Sequence, residues 1–372
     1  MSRRPLLPLH VLACLILLFG TVAAEGARRK VIVDQDAYGP GGPNLQPILM
    51  VLQSPDFDVI GITIESGDGW QKENTAHTLR MLELIGRTEV PVLAGATYPL
   101  VNTEEGTIRW EAIYGKLPYK GAWMREWPSY NTVNRLRYHA ANVIPPMEDG
   151  EPQTKPALET AADFLVRQVR EHPGEITVLA MGPFTNLALA ARLDDGFGAH
   201  AKELVIMGGS FNPQAPKLDE FAMQFVYNPR VEFNSRWDPE AAHIMLHAGW
   251  PKITVVPNDA TTQTKLTADL LKRATAGAGA VAKYTARFGQ PGFPMWDEVA
   301  AAVLLDPGVA TRTEHLSIDI DIDHGANYGA TLSWPAGHGP GLGEPAVDVV
   351  LTVDVPRLEL LFIRLISPPT EK

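Results

Sequence analysis

Short apolar runs alternate along this chain with stretches whose apolar positions recur every three or four residues. The runs at 31–35, 59–64, 176–180, 203–207 and 253–256 predict strands, and the stretches at 45–53, 72–86, 157–171, 185–193 and 238–247 predict helices. In the second helix Ala76, Leu79, Leu82 and Ile85 form one buried stripe, and Gly86 ends it. Strands and helices in this alternation predict a parallel sheet with crossover helices. From 315 to 352 the period changes to two, in His-Leu-Ser-Ile-Asp-Ile-Asp-Ile-Asp, Ala-Thr-Leu-Ser-Trp and Val-Asp-Val-Val-Leu, which predicts a β meander. The fold class is therefore α/β, an open and mostly parallel sheet flanked by helices, with an antiparallel C-terminal extension. Asp319, Asp321 and Asp323 fall on one face of the meander and read as the solvated side of a strand rather than as a second cation site.

Two segments break the rhythm. Residues 101–156 carry Trp110, Tyr114, Tyr119, Trp123, Trp127, Tyr130 and Tyr138 among Pro and Gly, an insertion of little regular pattern. Such a loop serves either as a lid or subunit contact, or as a surface insertion packed by its own aromatics. At the other end, Arg3 and Arg4, an apolar run from Val11 to Val22, and Ala23 and Ala24 read as a secretory signal peptide over residues 1–24, cut after Ala24. The mature chain, 25–372, is then a single secreted or periplasmic domain. The run is too short to span a bilayer, and no later stretch looks membrane-spanning. Cys14 is the only cysteine, so the mature chain has no disulfide, thiolate metal site or Cys nucleophile. A lipid anchor there fits less well, because the apolar Leu-Ile-Leu-Leu-Phe that follows suits the middle of a signal. With 45% hydrophobic and 20% charged residues the composition is globular. A net charge of −11, with no basic run beyond Arg28-Arg29-Lys30, argues against nucleic acid as a partner.

The chemistry collects at predicted strand ends. Val31-Ile32-Val33 leads into Asp34-Gln35-Asp36 and a Gly/Pro loop. If the strand persists, the two acids share a face at the carboxyl edge of the sheet, where they need a cation or a shared proton unless solvated in a turn. After 176–180 come Gly182 and Pro183, then Thr185 and Asn186, either of which suits a helix cap. Gly208 and Gly209 follow the next strand and let backbone approach a ligand. Glu232 and Asn234, two apart, offer the acceptor and donor that a vicinal diol requires, while Asp238 before Pro239 reads as structural. Asp297 opens a small-residue helix and, taken alone, is an N-cap. Gly39, Gly41 and Gly42 hint at a dinucleotide loop, but Pro40 and Pro43 lack the amide donors a pyrophosphate needs, and Asn44 stands where a small residue is required.

The order of these segments resembles the inosine-uridine-preferring nucleoside hydrolase family, over roughly residues 30–367. The resemblance is carried by Val-Asp-Gln-Asp-Ala, Val-Ile-Gly-Ile-Thr-Ile-Glu-Ser-Gly-Asp, Leu-Glu-Leu-Ile-Gly-Arg-Thr-Glu-Val-Pro-Val-Leu-Ala-Gly-Ala, Gly-Pro-Phe-Thr-Asn-Leu-Ala, Val-Ile-Met-Gly-Gly-Ser-Phe, Glu-Phe-Asn-Ser-Arg-Trp-Asp-Pro-Glu-Ala-Ala and Trp-Asp-Glu-Val-Ala-Ala. It implies a Rossmann-like sheet, hydrolysis of the N-glycosidic bond of a ribonucleoside or related riboside, one Ca²⁺ at the bottom of a pocket at strand ends, and a homo-oligomer, dimer or tetramer. By position, Asp36 looks like the acid that binds calcium and activates water, supported by Asp34. Thr185 matches a residue whose carbonyl ligates the ion, and Asp297 the last metal acid. Glu232 and Asn234 match the pair that holds the ribose, and Asp68 stands where an Asn commonly touches the sugar.

Two departures bear on function. The family's Asp-Asp pair is replaced by a longer loop that puts Asn44 at a metal position, where an amide oxygen brings no charge. Trp296 stands where members often carry a His suited to protonating the base; it can stack on a flat ring but cannot donate a proton in that sense. The loss of the pair keeps open a second reading, a non-catalytic ribose or nucleoside binder on the same scaffold.

Overall fold

The computed structural model describes residues 27–127, 136–212 and 229–368. The predicted signal segment over 1–24, and Tyr130 of the insertion, lie outside them. Nine strands build one sheet: β1 (Arg29–Gln35), β2 (Phe57–Ile64), β3 (Val92–Ala94), β4 (Thr177–Ala180), β5 (Glu203–Met207), β6 (Ile253–Val256), β7 (Ala310–Ile320), β8 (Thr331–Pro335) and β9 (Ala346–Val353). Their order is β3-β2-β1-β4-β5-β6-β9-β7-β8. Every pair from β3 across to β9 is parallel, and only β9–β7 and β7–β8 are antiparallel.

Helices cover both faces, so the central strands read as unbroken apolar runs rather than alternating ones. The alternation survives in which face each side chain enters. Val31 and Val33 join the core under the helices Leu45–Leu52, Gln71–Ile85, Trp296–Leu305 and Val355–Ile366. Ile32 joins the core under Ala161–Glu171, Thr185–Leu193 and Pro239–Leu246. Continuing that parity sends Asp34 toward the second layer and Gln35 toward the first. Ala76, Leu79, Leu82 and Ile85 are buried as their spacing predicts, and Gly86 ends their helix in the left-handed region at φ 74°.

Three differences from the sequence reading have physical reasons. The C-terminal strands are not in meander order: β9, the more apolar, inserts beside β6 and leaves β8, closed by Pro335, at the edge. β3 is three residues long, too short for a pattern to register. Within 101–156 the regular helix Glu104–Tyr114 shows no apolar stripe, because its buried side chains are Thr107 and Glu111 rather than apolar residues.

β2 leaves β1 on one side and β4 flanks it on the other, so the chain reverses direction across the sheet at the β1/β4 boundary. Open α/β sheets bind ligands beyond the strand carboxyl ends at such a boundary.

Candidate active site

β1 stops at Gln35, and its parity places the next groups. Gln35 donates from Nε2 to Oδ2 of Asp297 (2.9 Å) and to the carbonyl of Asn44 (3.1 Å), joining the first strand, the Gly/Pro loop and the helix Trp296–Leu305. Its Oε1 accepts from the N–H of Asp36 (2.9 Å). Asp36, just past the strand and 1% exposed, accepts at Oδ1 from Asn44 Nδ2 (3.0 Å) and at Oδ2 from the Asp68 N–H (2.6 Å). Gly67 permits this approach: a Cβ there would lie 2.1 Å from Asp36 Oδ2. Asp297 is not an N-cap, because Met295 holds that position and the Asp297 carboxylate faces Gln35.

Asn44, Asp68 and Asp297 open onto a hollow of about 820 Å³ counted with its solvent-filled mouth, and Asp36 and Gln35 lie directly behind them. Asn44, Asp68, Glu232, Asn234, Trp296 and Asp297 all line it, although they come from separate segments of chain. Tyr119 and Trp127, from the aromatic insertion, line it as well, and the Tyr119 hydroxyl donates to Asp68 Oδ1 (2.6 Å). The insertion is thus a wall of the hollow.

Glu232 caps the short helix Phe233–Trp237, accepting from the N–H groups of Asn234 (2.7 Å) and Ser235 (3.1 Å) and of Gly209 (3.2 Å). Asn234 donates from Nδ2 to the carbonyls of Met181 (3.0 Å) and Met207 (3.1 Å) at the ends of β4 and β5. Its donors are used on the strand ends, so it presents its oxygen. The sequence reading of Asn234 as the donor of the pair is corrected accordingly: both residues offer acceptors.

Other expected members lie elsewhere. Asp34 follows its parity to the opposite face, where Oδ1 accepts from Thr63 Oγ1 (2.5 Å) and Asn186 Nδ2 (2.8 Å). Thr185 does not line the hollow; its hydroxyl donates to Asp238 Oδ2 (2.7 Å), and Met181 is the β4-end residue that reaches the wall. Neither Thr185 nor Asn186 caps its helix by a side chain. Asn44 turns an N–H toward Asp36 instead of setting an oxygen beside it.

The sequence reading assigned no role to Glu65, one residue beyond β2 and fully buried. Its carboxylate accepts from the N–H groups of Phe184 (2.7 Å) and Asn186 (2.7 Å), so a neighbouring strand end supplies the cap of helix Thr185–Leu193.

No lysine or arginine lines the hollow among the described residues. Burial without a counter-charge pushes these carboxyls up: Glu232 to about 7 by desolvation, Asp36 well above its usual range by desolvation and the Asp68 charge, and Asp297 likewise by desolvation and Glu298. Asp34 is raised to about 6 by desolvation, against the hydrogen bonds of Thr63 and Asn186. An acceptor-rich, acid-lined hollow of this kind suits a cation and a polyhydroxylated ligand together.

Residues 31–359 match the family model for inosine-uridine preferring nucleoside hydrolases. The chain is 33% identical over 244 residues to uridine nucleosidase 1 of Arabidopsis thaliana, a match covering 66% of this chain and 60% of that relative. It is 26% identical over 341 residues to a pyrimidine-specific ribonucleoside hydrolase of Escherichia coli, covering 88% and 93% of the two. Among solved structures, a plant nucleoside hydrolase superposes with a TM-score of 0.68 at 26% identity, covering 92% of this chain and 99% of that one. The strand-end acids, the sheet order and these similarities agree, and the chain belongs to the inosine-uridine preferring nucleoside hydrolase family.

Proposed function

We propose that this protein hydrolyses the N-glycosidic bond of a ribonucleoside in a Ca²⁺-dependent reaction, with Asp36 as the base. The observation that carries this reading is the gathering of Asp68, Glu232 and Asp297 around one hollow, with Asp36 bonded directly behind Asn44 and Asp68 and no basic side chain on the wall among the described residues. Hard oxygen donors without a counter-charge are what Ca²⁺ takes. Asp36 and Asp297, bridged through Gln35, would hold it, with a backbone carbonyl at the β4 end; Asn44 would join only by turning its amide. Bound there, Ca²⁺ supplies the charge that lets the carboxylates ionise and that acidifies a neighbouring water.

The chain's own groups do the rest. Glu232 and the Asn234 oxygen accept from the 2′ and 3′ hydroxyls of the ribose, two donors meeting two acceptors, and so fix the ring. Asp36 removes a proton from the attacking water. The water oxygen bonds to the anomeric carbon as the C–N bond breaks and the bonding pair leaves with the base, while Asp36 retains the proton. Positive charge that develops on the sugar meets Asp68 and Glu232. Trp296, whose ring centroid lies 6.2 Å from that of Phe293, gives the base a flat apolar surface.

The test is ribose release from uridine, inosine and cytidine with Ca²⁺ and after chelation. Release that disappears with the metal supports the reading. Saturable nucleoside binding without release supports the non-catalytic binder.

Two predictions arise here. Asn44→Asp is expected to tighten Ca²⁺ at least tenfold by calorimetry, because it places a carboxylate against Asp36; the metal-free melting temperature should fall from the same repulsion. An unchanged affinity would place the ion away from Asn44. The second concerns pH. Glu232 titrates near 7 in the folded chain, and Asp36 and Asp297 are also raised, against about 4 in an unfolded one. The folded state therefore holds more protons across that window, and metal-free stability declines as pH rises from about 4 to 7. Ca²⁺ favours the ionised groups, so the melting shift it produces should be larger at pH 8 than at pH 5. Equal shifts at the two values would show that these carboxyls do not bind the ion.

A further inference from the structure

His243 and His247 stand one turn apart at the end of helix Pro239–Leu246, with ring centroids 4.4 Å apart, and both face Asp319 of β7. His243 Nδ1 lies 2.7 Å from Asp319 Oδ1, and His247 Nε2 lies 3.2 Å from Oδ2. The three ligand atoms fall within 4.8 Å of one another, the one such grouping of His, Cys, Asp and Glu among the described residues. His315–Asp348, His77–Asp149 and His139–Glu73 are pairs. Of the acids read from the sequence as one solvated strand face, Asp321 and Asp323 lie beyond the end of β7 at Ile320. Asp319 lies within the strand, its side chain 13% exposed and held by two imidazoles.

We propose that His243, His247 and Asp319 form a second metal site, for a divalent transition metal such as Zn²⁺, separate from the acid-lined hollow. Three observations carry it. The donor set is two imidazoles and one carboxylate, which favours Zn²⁺, Ni²⁺ or Cu²⁺ over Ca²⁺. Ligand atoms around a tetrahedral ion with bonds of about 2.0–2.1 Å are roughly 3.3 Å apart, close to the 2.7 and 3.2 Å that separate each imidazole nitrogen from its nearer Asp319 oxygen. The imidazoles are 30% and 21% exposed, which leaves a solvent-facing position for a fourth ligand. No thiolate competes, since the single cysteine is Cys14. Arg192 opposes a cation here and Glu240 favours one. An ion at this position would pin the helix capped by Asp238 to the C-terminal strands.

The test titrates Zn²⁺ into the Ca²⁺-loaded protein by calorimetry, with Co²⁺ as a spectroscopic probe. One equivalent of Zn²⁺ and tetrahedral Co²⁺ bands are expected, with a higher melting temperature. His243→Gln and His247→Gln keep a donor to Asp319 while removing a metal ligand; each should weaken Zn²⁺ at least tenfold and leave nucleoside turnover in Ca²⁺ unchanged. His315→Gln, in an exposed pair, should leave Zn²⁺ affinity unchanged. No Zn²⁺ uptake, or an affinity indifferent to the double Gln variant, would overturn the site.

Discussion

Asp36→Asn is expected to slow ribose release by about 10²–10⁴-fold, the usual worth of a positioned general base, while uridine binding measured by calorimetry changes little. The substitution keeps shape and removes charge. In the native chain both carboxylate oxygens face donors, Asn44 Nδ2 and the Asp68 N–H, so whichever way the substituted amide is turned, its own N–H meets one of them. The mismatch costs about 1–3 kcal/mol, a typical penalty for a buried unpaired group. Removing a buried charge that desolvation, Asp68 and Asp297 all disfavour works the other way, so the variant should fold and melt near the wild type. Retained binding with lost turnover separates the base role from a structural one. Turnover within tenfold of the wild type would remove Asp36 from the mechanism, whatever happens to the metal.

Much of this arrangement was legible because parallel strands impose a rule that a sequence displays: apolar run, acid, turn. That rule marks Asp36, whereas Glu232 and Asn234 stand out as a polar pair before a helix and Asp297 only through the family resemblance. What the rule does not display is direction. Asp34 and Asp36 are two apart and would share a face on a continued strand, but β1 ends at Gln35, so Asp36 turns toward Asn44 and Asp68 at the back of the hollow while Asp34 stays on the Asn186 side. Thr185 and Met181 lie at the same strand end, and only the turn through Phe184, at φ 70°, shows that Met181 borders the hollow. The direction of the Asn234 amide depends on two carbonyls from other strands. Tyr119 was one aromatic among seven, with nothing local to mark its hydroxyl for Asp68. Glu65 carried a usable signal, an acid directly after the apolar strand Phe57–Ile64, beside the strand that bears Asp34. Its partners, more than a hundred residues further on, have no counterpart in any local pattern.

That omitted residue has the largest expected effect on stability. Glu65→Ala should lower the urea-unfolding free energy by about 2–5 kcal/mol at pH 7, the cost of leaving two buried N–H groups without acceptors less the relief of removing a desolvated charge. The loss is localised. Phe184 and Asn186 donate to the two oxygens, Asn186 also donates to Asp34, and Phe184 itself is a non-glycine residue at positive φ. Without Glu65 the turn should relax toward the ordinary region and carry the end of β4 with it. Met181 would then move from the wall of the hollow and from the Asn234 amide it orients. The Michaelis constant for the nucleoside should therefore rise together with the fall in stability, although Glu65 touches no ligand. Glu65→Gln restores one acceptor and sets its own N–H against the other amide, so it should recover about half of the lost free energy. If Glu65→Ala unfolds at wild-type urea concentrations, backbone contacts alone hold the turn, and the carboxylate is there for another purpose.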